Sequence, residues 1–444
     1  MTDHPRYAAY TARHLDDLLD RAGIDAAERA RLQAVATVLP FRVNDYVVKE
    51  LIDWSAVPDD PIYRMTFPQT DMLPAAERTA VERLRSRGAP RAELQALVGR
   101  IRAGLHPHPA GQQTLNVASY DDEPVPGLQH KYAQTVLVFP QQGQFCHAYC
   151  TYCFRWPQFV GDPHLRIATE PTTRVHDYIR EHREISSVLF TGGDPLVMST
   201  AVLRRYIEPL LAPEMAHVES IRIGTKALAY WPYRVLTDPD AEDLLRLFEE
   251  IRAAGRHLAL MAHYSHPREL QTDASRRAVR RLTSAGVLIR CQAPLIRGVN
   301  DDPGVWSELW RLQVRMGAVP YYMFVERDTG PKDYFAVPLA RAHQIFSAAY
   351  REQSGLGRTV RGPVMSATPG KVVVDGVGEI DGRRFFVLRL LQARRPELVN
   401  QPFFARYDEN ATWLDDLEPL AGGRFPFAGP DLSGGPHVPD LRAS

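Results

Sequence analysis

Residues 1–105 are patterned for helices. Leu15, Leu18, Leu19 and Ala22 recur at helical spacing, and Gly23 ends the run. Further helices are predicted over Ala26–Val38, Pro74–Ser86 and Pro90–Ala103, with turns and short connectors at Phe41–Tyr46 and Asp60–Tyr63. This region reads as a packing or oligomerisation unit rather than a catalytic one. A polar, proline-punctuated linker is expected from His106 to Gly127. From residue 130 the pattern changes to short apolar runs rich in β-formers, separated by helical stretches. The predicted strands are Thr135–Pro140, Ser187–Thr191, Ser220–Gly224, His257–Ala262, Val287–Gln292 and Val319–Phe324. One intervening helix carries Leu244, Leu247, Phe248 and Ile251 on a single face and stops at Gly255. Another starts at Asp302-Pro303. Six strand–helix units in series predict an α/β fold, a parallel sheet with helices outside. Six units rather than eight predict a partial, open (β/α)6 barrel. The expected limits are 1–127 for the helical region and linker, 128–350 for the barrel core and 351–444 for a C-terminal region. In that last region Phe385–Leu391, Pro402–Phe404 and Trp413–Asp416 read as a cap on the site, an interface or peripheral packing.

Composition narrows the function classes. The 444 residues include 53 basic and 53 acidic side chains, so no electrostatic footprint for nucleic acid exists. No apolar run is long enough for a membrane span. Met1-Thr-Asp-His-Pro lacks the basic-then-apolar layout of a signal peptide. Only four cysteines occur, three of them clustered, which fits a reducing cytoplasm.

Those three cysteines carry the chemistry. Cys146, Cys150 and Cys153 stand at spacing C-x3-C-x2-C, and Cys291 lies far downstream. A structural zinc site wants four ligands, usually in spaced pairs, and only His147 is nearby. Three clustered cysteines also pair badly as disulfides. Three thiolates suit three irons of a cubane cluster and leave the fourth iron open for a ligand. Cys291, in an apolar strand, reads as a small buried hydrophobe.

Parallel α/β sheets place their chemistry at the C-terminal ends of the strands. The distinctive residues gather there. The cysteines follow the first predicted strand, and Gly192-Gly193-Asp194-Pro195-Leu196 follows the second. Thr225 and Lys226 end the third, and His263 to Pro267 follow the fourth. Gln292 ends the fifth, and Glu326-Arg327 follow the sixth. The glycines let backbone approach a ligand closely, or form an ordinary tight turn. His263 and His266 read as polar lining or loop packing. Arg155 can pair bidentately with a carboxylate or serve as a surface charge. Arg222 and Lys226 face either a cofactor or a neighbouring helix.

The cysteine spacing resembles that of the radical S-adenosylmethionine (SAM) superfamily. Residues 40–375 resemble, more narrowly, the lysine 2,3-aminomutase family. The likeness rests on Asp60-Pro-Ile, Pro124-Val-Pro-Gly-Leu-Gln-His130, the three cysteines, Thr191-Gly-Gly-Asp-Pro-Leu196, Ile221-Arg-Ile-Gly-Thr225, His266-Pro267 and Leu295-Ile-Arg-Gly-Val-Asn-Asp301. The resemblance implies a [4Fe-4S] cluster on Cys146, Cys150 and Cys153. It implies SAM held by Gly192, Gly193, Asp194 and Pro195, with Thr225, His263 and Gln292 at the same rim. In the family, SAM cleavage yields a 5′-deoxyadenosyl radical that takes a hydrogen from the β-carbon of an amino acid held as an imine on pyridoxal phosphate. The amino group then moves from C2 to C3. Arg155 matches the arginine that receives the substrate carboxylate. A small amino-acid-like substrate and an electron donor such as a flavodoxin or ferredoxin are the implied partners.

Three departures bear on the substrate half. The family's pyridoxal-phosphate lysine precedes a Pro-Val-Met segment, and Arg361 stands near that place, ahead of Gly362-Pro-Val-Met365. Arginine stays protonated and forms no Schiff base. Of two phosphate-side cations, one is kept as Lys131 and the other is Thr135. The acid expected to meet lysine's ammonium is Arg327, which repels a cation and receives an anion. Lysine is therefore not the expected substrate. Pyridoxal phosphate is left open, with Lys371 and Lys131 as the residues that would serve it. The alternatives are a radical SAM isomerase, epimerase or modifying enzyme without pyridoxal phosphate, and a non-catalytic iron–sulfur electron carrier.

Overall fold

The computed structural model describes residues 5–428, so the reading of the first residues as lacking a signal peptide falls mostly outside it. Two short strands, β1 (Ala9–Thr11) and β2 (Arg42–Asn44), pair antiparallel among the N-terminal helices. The remaining strands form one mixed sheet of twelve: β3 (Val117–Tyr120), β4 (Glu123–Tyr132), β5 (Thr135–Val138), β6 (Ser187–Phe190), β7 (Ser220–Thr225), β8 (His257–His263), β9 (Leu288–Leu295), β10 (Val319–Val325), β11 (Arg361–Ser366), β12 (Gly370–Ile380), β13 (Arg383–Ala393) and β14 (Pro402–Arg406). Spatial order follows chain order. Strands β5 to β11 run parallel, flanked by antiparallel β3–β4 and β12–β14.

The six predicted strands are β5 to β10. Each is a short apolar run whose inward residues are buried, as a sheet covered by helices requires. The helix Ala241–Ala253 buries Leu244, Leu247, Phe248 and Ile251 completely, at a cost of roughly 1.5–3 kcal/mol each if exposed. Gly255 beyond it takes φ +77°, the left-handed turn that ends a helix.

Several local expectations are corrected. The connector Phe41–Tyr46 contains β2. The supposed turn at Asp60–Tyr63 is the start of a helix, Pro61–Thr66, capped by Asp60. Asp-Pro opens both turns and helices, and here the following Ile62, Tyr63 and Met65 bury a face. The linker His106–Gly127 holds β3 and the start of β4. A seventh parallel strand, β11, escaped the pattern because Gly362 and Pro363 interrupt it.

The two ends of the sheet order meet. Lys131 of β4 donates to the carbonyl of Ala367, between β11 and β12. Arg394, after β13, donates to the Leu115 carbonyl at 3.1 Å and to the Asn116 side chain, beside β3. The C-terminal strands carry their own apolar cluster, in which Phe386, Leu388, Leu390 and Trp413 pack with Val325 and Leu339. No helix among the described residues is long and apolar enough to cross a membrane.

Candidate active site

The N-terminal region seats the cysteine loop. Tyr149 N–H donates to the Arg42 carbonyl at 2.8 Å, and Thr151 N–H to the Met65 carbonyl at 2.8 Å. The Thr151 hydroxyl donates to the Arg64 carbonyl at 2.7 Å. Asn44, fully buried, spans the His147 and Tyr230 carbonyls at 3.2 and 2.9 Å. A region read as a packing or oligomerisation unit therefore fixes the backbone on both sides of Cys150.

One cavity of about 310 Å³ opens at the C-terminal ends of the parallel strands. Its wall includes Cys146, Cys150, Cys153, Arg155, Gly192, Gly193, Asp194, Thr225, His263, Gln292, Arg327, Lys131 and Lys371, almost every residue singled out in the sequence. Pro195 is outside it, buried in the 3₁₀ turn behind the loop. Cys291 is buried on β9 away from the cavity. His266 also lies outside; its Nδ1 accepts from Arg268 N–H at 3.3 Å.

The three cysteines are free thiols, and no trio of their sulphurs falls within the 4.8 Å that a single ion would need. Burial raises all three thiol pKa values, Cys153 to about 12. Their ionised form thus calls for a bound metal. Three donors on one loop, wider than a mononuclear site and with no fourth cysteine in reach, fit a cubane cluster with one open iron.

The glycine loop owes its glycines to the cysteine loop. A Cβ on Gly193 would lie 2.5 Å from Phe145 N, and one on Gly192 would lie 2.3 Å from the Gln144 side chain. Gly192 also takes φ +126°, a conformation closed to other residues. Asp194 ties the ends of β6 and β7 together. It is 2% exposed and accepts from Leu196 N–H at 3.0 Å, Lys226 N–H at 2.8 Å and the Thr225 hydroxyl at 2.9 Å. Burial raises its carboxyl pKa against these bonds. His263 and Gln292 face each other at 3.0 Å. Burial, with Lys226 and Arg155 nearby, lowers His263 to about 3 and keeps it neutral. Arg222 and Lys226 both line the cavity, and Glu269 holds the Lys226 ammonium at 2.6 Å.

Tyr321, Tyr322 and Phe154, unforeseen from sequence, complete the wall, and Trp413, read there as a cap, an interface or peripheral packing, lies behind it. Tyr321 and Tyr322 are neighbours, yet both reach the cavity, because β10 shifts register between Pro320 and Tyr322. Phe154 lies under Arg155 and Arg327, 4.9 and 5.1 Å from its ring centre. Trp413, from the far C-terminal segment, backs Arg327 at 5.8 Å. Sequence spacing carries no signal for a bulge or for a contact between segments so far apart.

No family model matches the chain. A protein of Aquifex aeolicus (strain VF5) named "Putative L-lysine 2,3-aminomutase" is 33% identical over 409 residues, 92% of this chain and 96% of that one. The chain belongs to the lysine 2,3-aminomutase family. It is a divergent member of this radical SAM group. The L-lysine 2,3-aminomutase of Clostridium subterminale is 32% identical over 234 residues, so the match spans about half of each chain, 53%. That of Methanococcus maripaludis is 26% identical over 324 residues, 72% of this chain and 64% of its own. Among solved structures, a radical SAM methyltransferase from Sphaerobacter thermophilus aligns with 63% of this chain and 91% of its own at 16% identity. Its TM-score is 0.35, too low to carry an argument.

Arg361 stacks over Tyr321 and Tyr322 at 4.4 and 4.2 Å and does not line the cavity. Lys371 does line it. The lysine lies across from Ser366 in the β11–β12 pair, its ammonium 4.8 Å over the Tyr322 ring. Burial, then Arg222 and Arg361, lowers its pKa to about 7. Lys131 is held well below the usual lysine range, by burial and by Arg394, Arg327 and Lys371 in turn, and is committed to the Ala367 carbonyl.

Proposed function

We propose that this aminomutase-family protein is a radical SAM enzyme that abstracts hydrogen from a small amino-acid-like substrate. The observation that carries this reading is the single cavity, into which three free thiols, the Gly192–Asp194 loop and Arg155 all open. In the proposal Cys146, Cys150 and Cys153 hold a [4Fe-4S] cluster. Gly192, Gly193, Asp194, Thr225, His263 and Gln292 line the SAM seat, with Pro195 shaping the loop from behind. A cluster carrying SAM supplies a 5′-deoxyadenosyl radical once reduced. Arg155 orients the substrate carboxylate by two parallel hydrogen bonds. Phe154, Tyr322 and Phe324 keep water from the reacting carbon. The sheet, with its N-terminal and C-terminal strands bridged by Lys131 and Arg394, serves as the partial barrel of the proposal. Its core spans 128–350, between a bracing segment 1–127 and a C-terminal segment 351–444. A flavodoxin or ferredoxin of the cytoplasm delivers the electron.

The test is anaerobic. Protein reconstituted with iron and sulfide, reduced and given SAM is expected to release 5′-deoxyadenosine and methionine, measured by chromatography. A cluster that turns over no SAM would support the electron-carrier reading instead.

Lys371 decides between the aminomutase reaction and one without pyridoxal phosphate. The residues fit an aldehyde cofactor, since Lys371 is the one cavity lysine among the described residues with no hydrogen bond or ion pair. Pyridoxal phosphate added to the protein is expected to give an absorbance band that borohydride bleaches, with the pyridoxyl group then found on Lys371 by mass spectrometry. The neutral amine is the reactive form. A pKa of about 7 therefore makes the labelling rate climb about tenfold per unit below that pH and level off above it. An absent band, or label elsewhere, would favour the reaction without this cofactor, to which Arg361 also points.

A further inference from the structure

Guanidinium groups in the cavity carry enclosed nitrogens that make no hydrogen bond, Arg222 Nε among them. Arg155 Nη1, Arg327 Nε and Arg327 Nη2 are enclosed and make no hydrogen bond. The nearest carboxylate to Arg327 is Asp328, with Oδ1 3.7 Å from Nε, beyond hydrogen-bonding reach. The other Asp328 oxygen faces His106 at 3.6 Å. Both arginines sit against the Phe154 ring, and Trp413 closes the far side of Arg327. A buried charge without hydrogen bonds is strongly disfavoured unless a ligand supplies them.

The rest of the wall adds positive charge. Lys131, Arg222 and Lys371 line the same space. Of the two acids there, Asp194 is engaged by Thr225 and the Lys226 backbone. Glu326 is buried, and burial pushes its carboxyl well above the usual range against the pull of Arg327. One carboxylate would supply acceptors to one guanidinium and leave the enclosed N–H groups of the other without any, since Asp328 offsets the Arg327 charge from 3.7 Å but accepts no hydrogen bond from it. An ammonium-ended side chain would meet Arg327 head on.

We propose that the substrate is a dicarboxylic α-amino acid, its α-carboxylate on Arg155 and its distal carboxylate on Arg327, with Phe154 and Trp413 fixing the Arg327 guanidinium. This rests on the radical SAM reading and names its substrate class. Arg327 is the specificity-determining residue. The C-terminal segment, through Trp413, belongs to the substrate site.

The experiment is calorimetric and needs no turnover. Protein with an oxidised cluster and saturating SAM is titrated with L-aspartate, L-glutamate, L-2-aminoadipate, L-alanine and L-lysine. At least one dicarboxylate is expected to bind roughly 30-fold more tightly than L-alanine or L-lysine, the scale of a buried charge pair. Arg327→Gln is expected to erase that margin while leaving L-alanine affinity unchanged, and Arg327→Lys to keep part of it. Arg155→Gln is expected to weaken every amino acid. L-lysine binding as tightly as the dicarboxylates, or a margin that survives Arg327→Gln, would overturn the proposal. SAM cleavage by the reduced wild type is scored separately, so failure here leaves the radical SAM reading standing.

Discussion

Replacing any one of Cys146, Cys150 and Cys153 with alanine is expected to abolish 5′-deoxyadenosine formation, a loss of about 10⁴-fold or more, as when one member of a concerted unit is removed. Reconstituted iron should fall with it, read by the charge-transfer absorbance of the cluster and by iron assay. The three thiols project from one loop into one cavity, and the fourth cysteine is out of reach on β9. A cubane losing one of three protein ligands would carry two open irons, and no neighbouring thiol can replace the lost one. Cys291→Ala is the internal control. It trades a small buried hydrophobe for a slightly smaller one and should keep iron content and SAM cleavage. Retention of a full cluster in any of the three loop variants would remove the cysteine assignment.

Asp60→Ala is expected to destabilise the protein by about 3 kcal/mol, combining a lost helix cap with a broken ion pair. Asp60 is fully buried. Its carboxylate accepts from Tyr63 N–H at 2.8 Å and Asp53 N–H at 3.1 Å, and pairs with Arg268. Arg268 is 31% exposed, so water screens part of that pair and holds the loss below that of a sealed one. The last turn of the helix that Asp60 caps carries Arg64 and Met65, whose carbonyls anchor Thr151 between the cysteines. Cluster content should therefore drop along with the denaturation midpoint. Asp60→Asn keeps the cap but not the charge, and should recover about 1 kcal/mol. A midpoint unchanged in Asp60→Ala would show that the helix start is held by packing alone.

The six parallel strands β5 to β10 were legible because each is short, apolar and bounded by turn residues, which is how a strand covered on both faces must read. The site was legible for a related reason. Parallel strands put their loops at one rim, so residues after successive strands had to converge. Strand β11 was not legible, since Gly362 and Pro363 break the pattern that its two neighbours impose in space. The role of the N-terminal region was also hidden. Arg42, Asn44 and Met65 act through backbone and amide contacts that leave no trace in hydrophobic periodicity.

Sequence by itself determined the α/β core, the clustering of three cysteines at spacing C-x3-C-x2-C, and an arginine rather than an amine at position 361. Each depends on residue type and order alone. Tertiary structure decided the rest. It chose Lys371 as the unengaged amine, because Lys131 is tied to Ala367 by the meeting of the sheet's two ends. It brought Trp413 against Arg327 across 86 positions of chain, and set Arg155 and Arg327 on one phenylalanine ring. Charge identity is written in the chain, but whether a charge finds a partner is settled only when distant segments pack. That is why the anion-receiving character of this cavity emerged from unpaired guanidinium groups rather than from a motif.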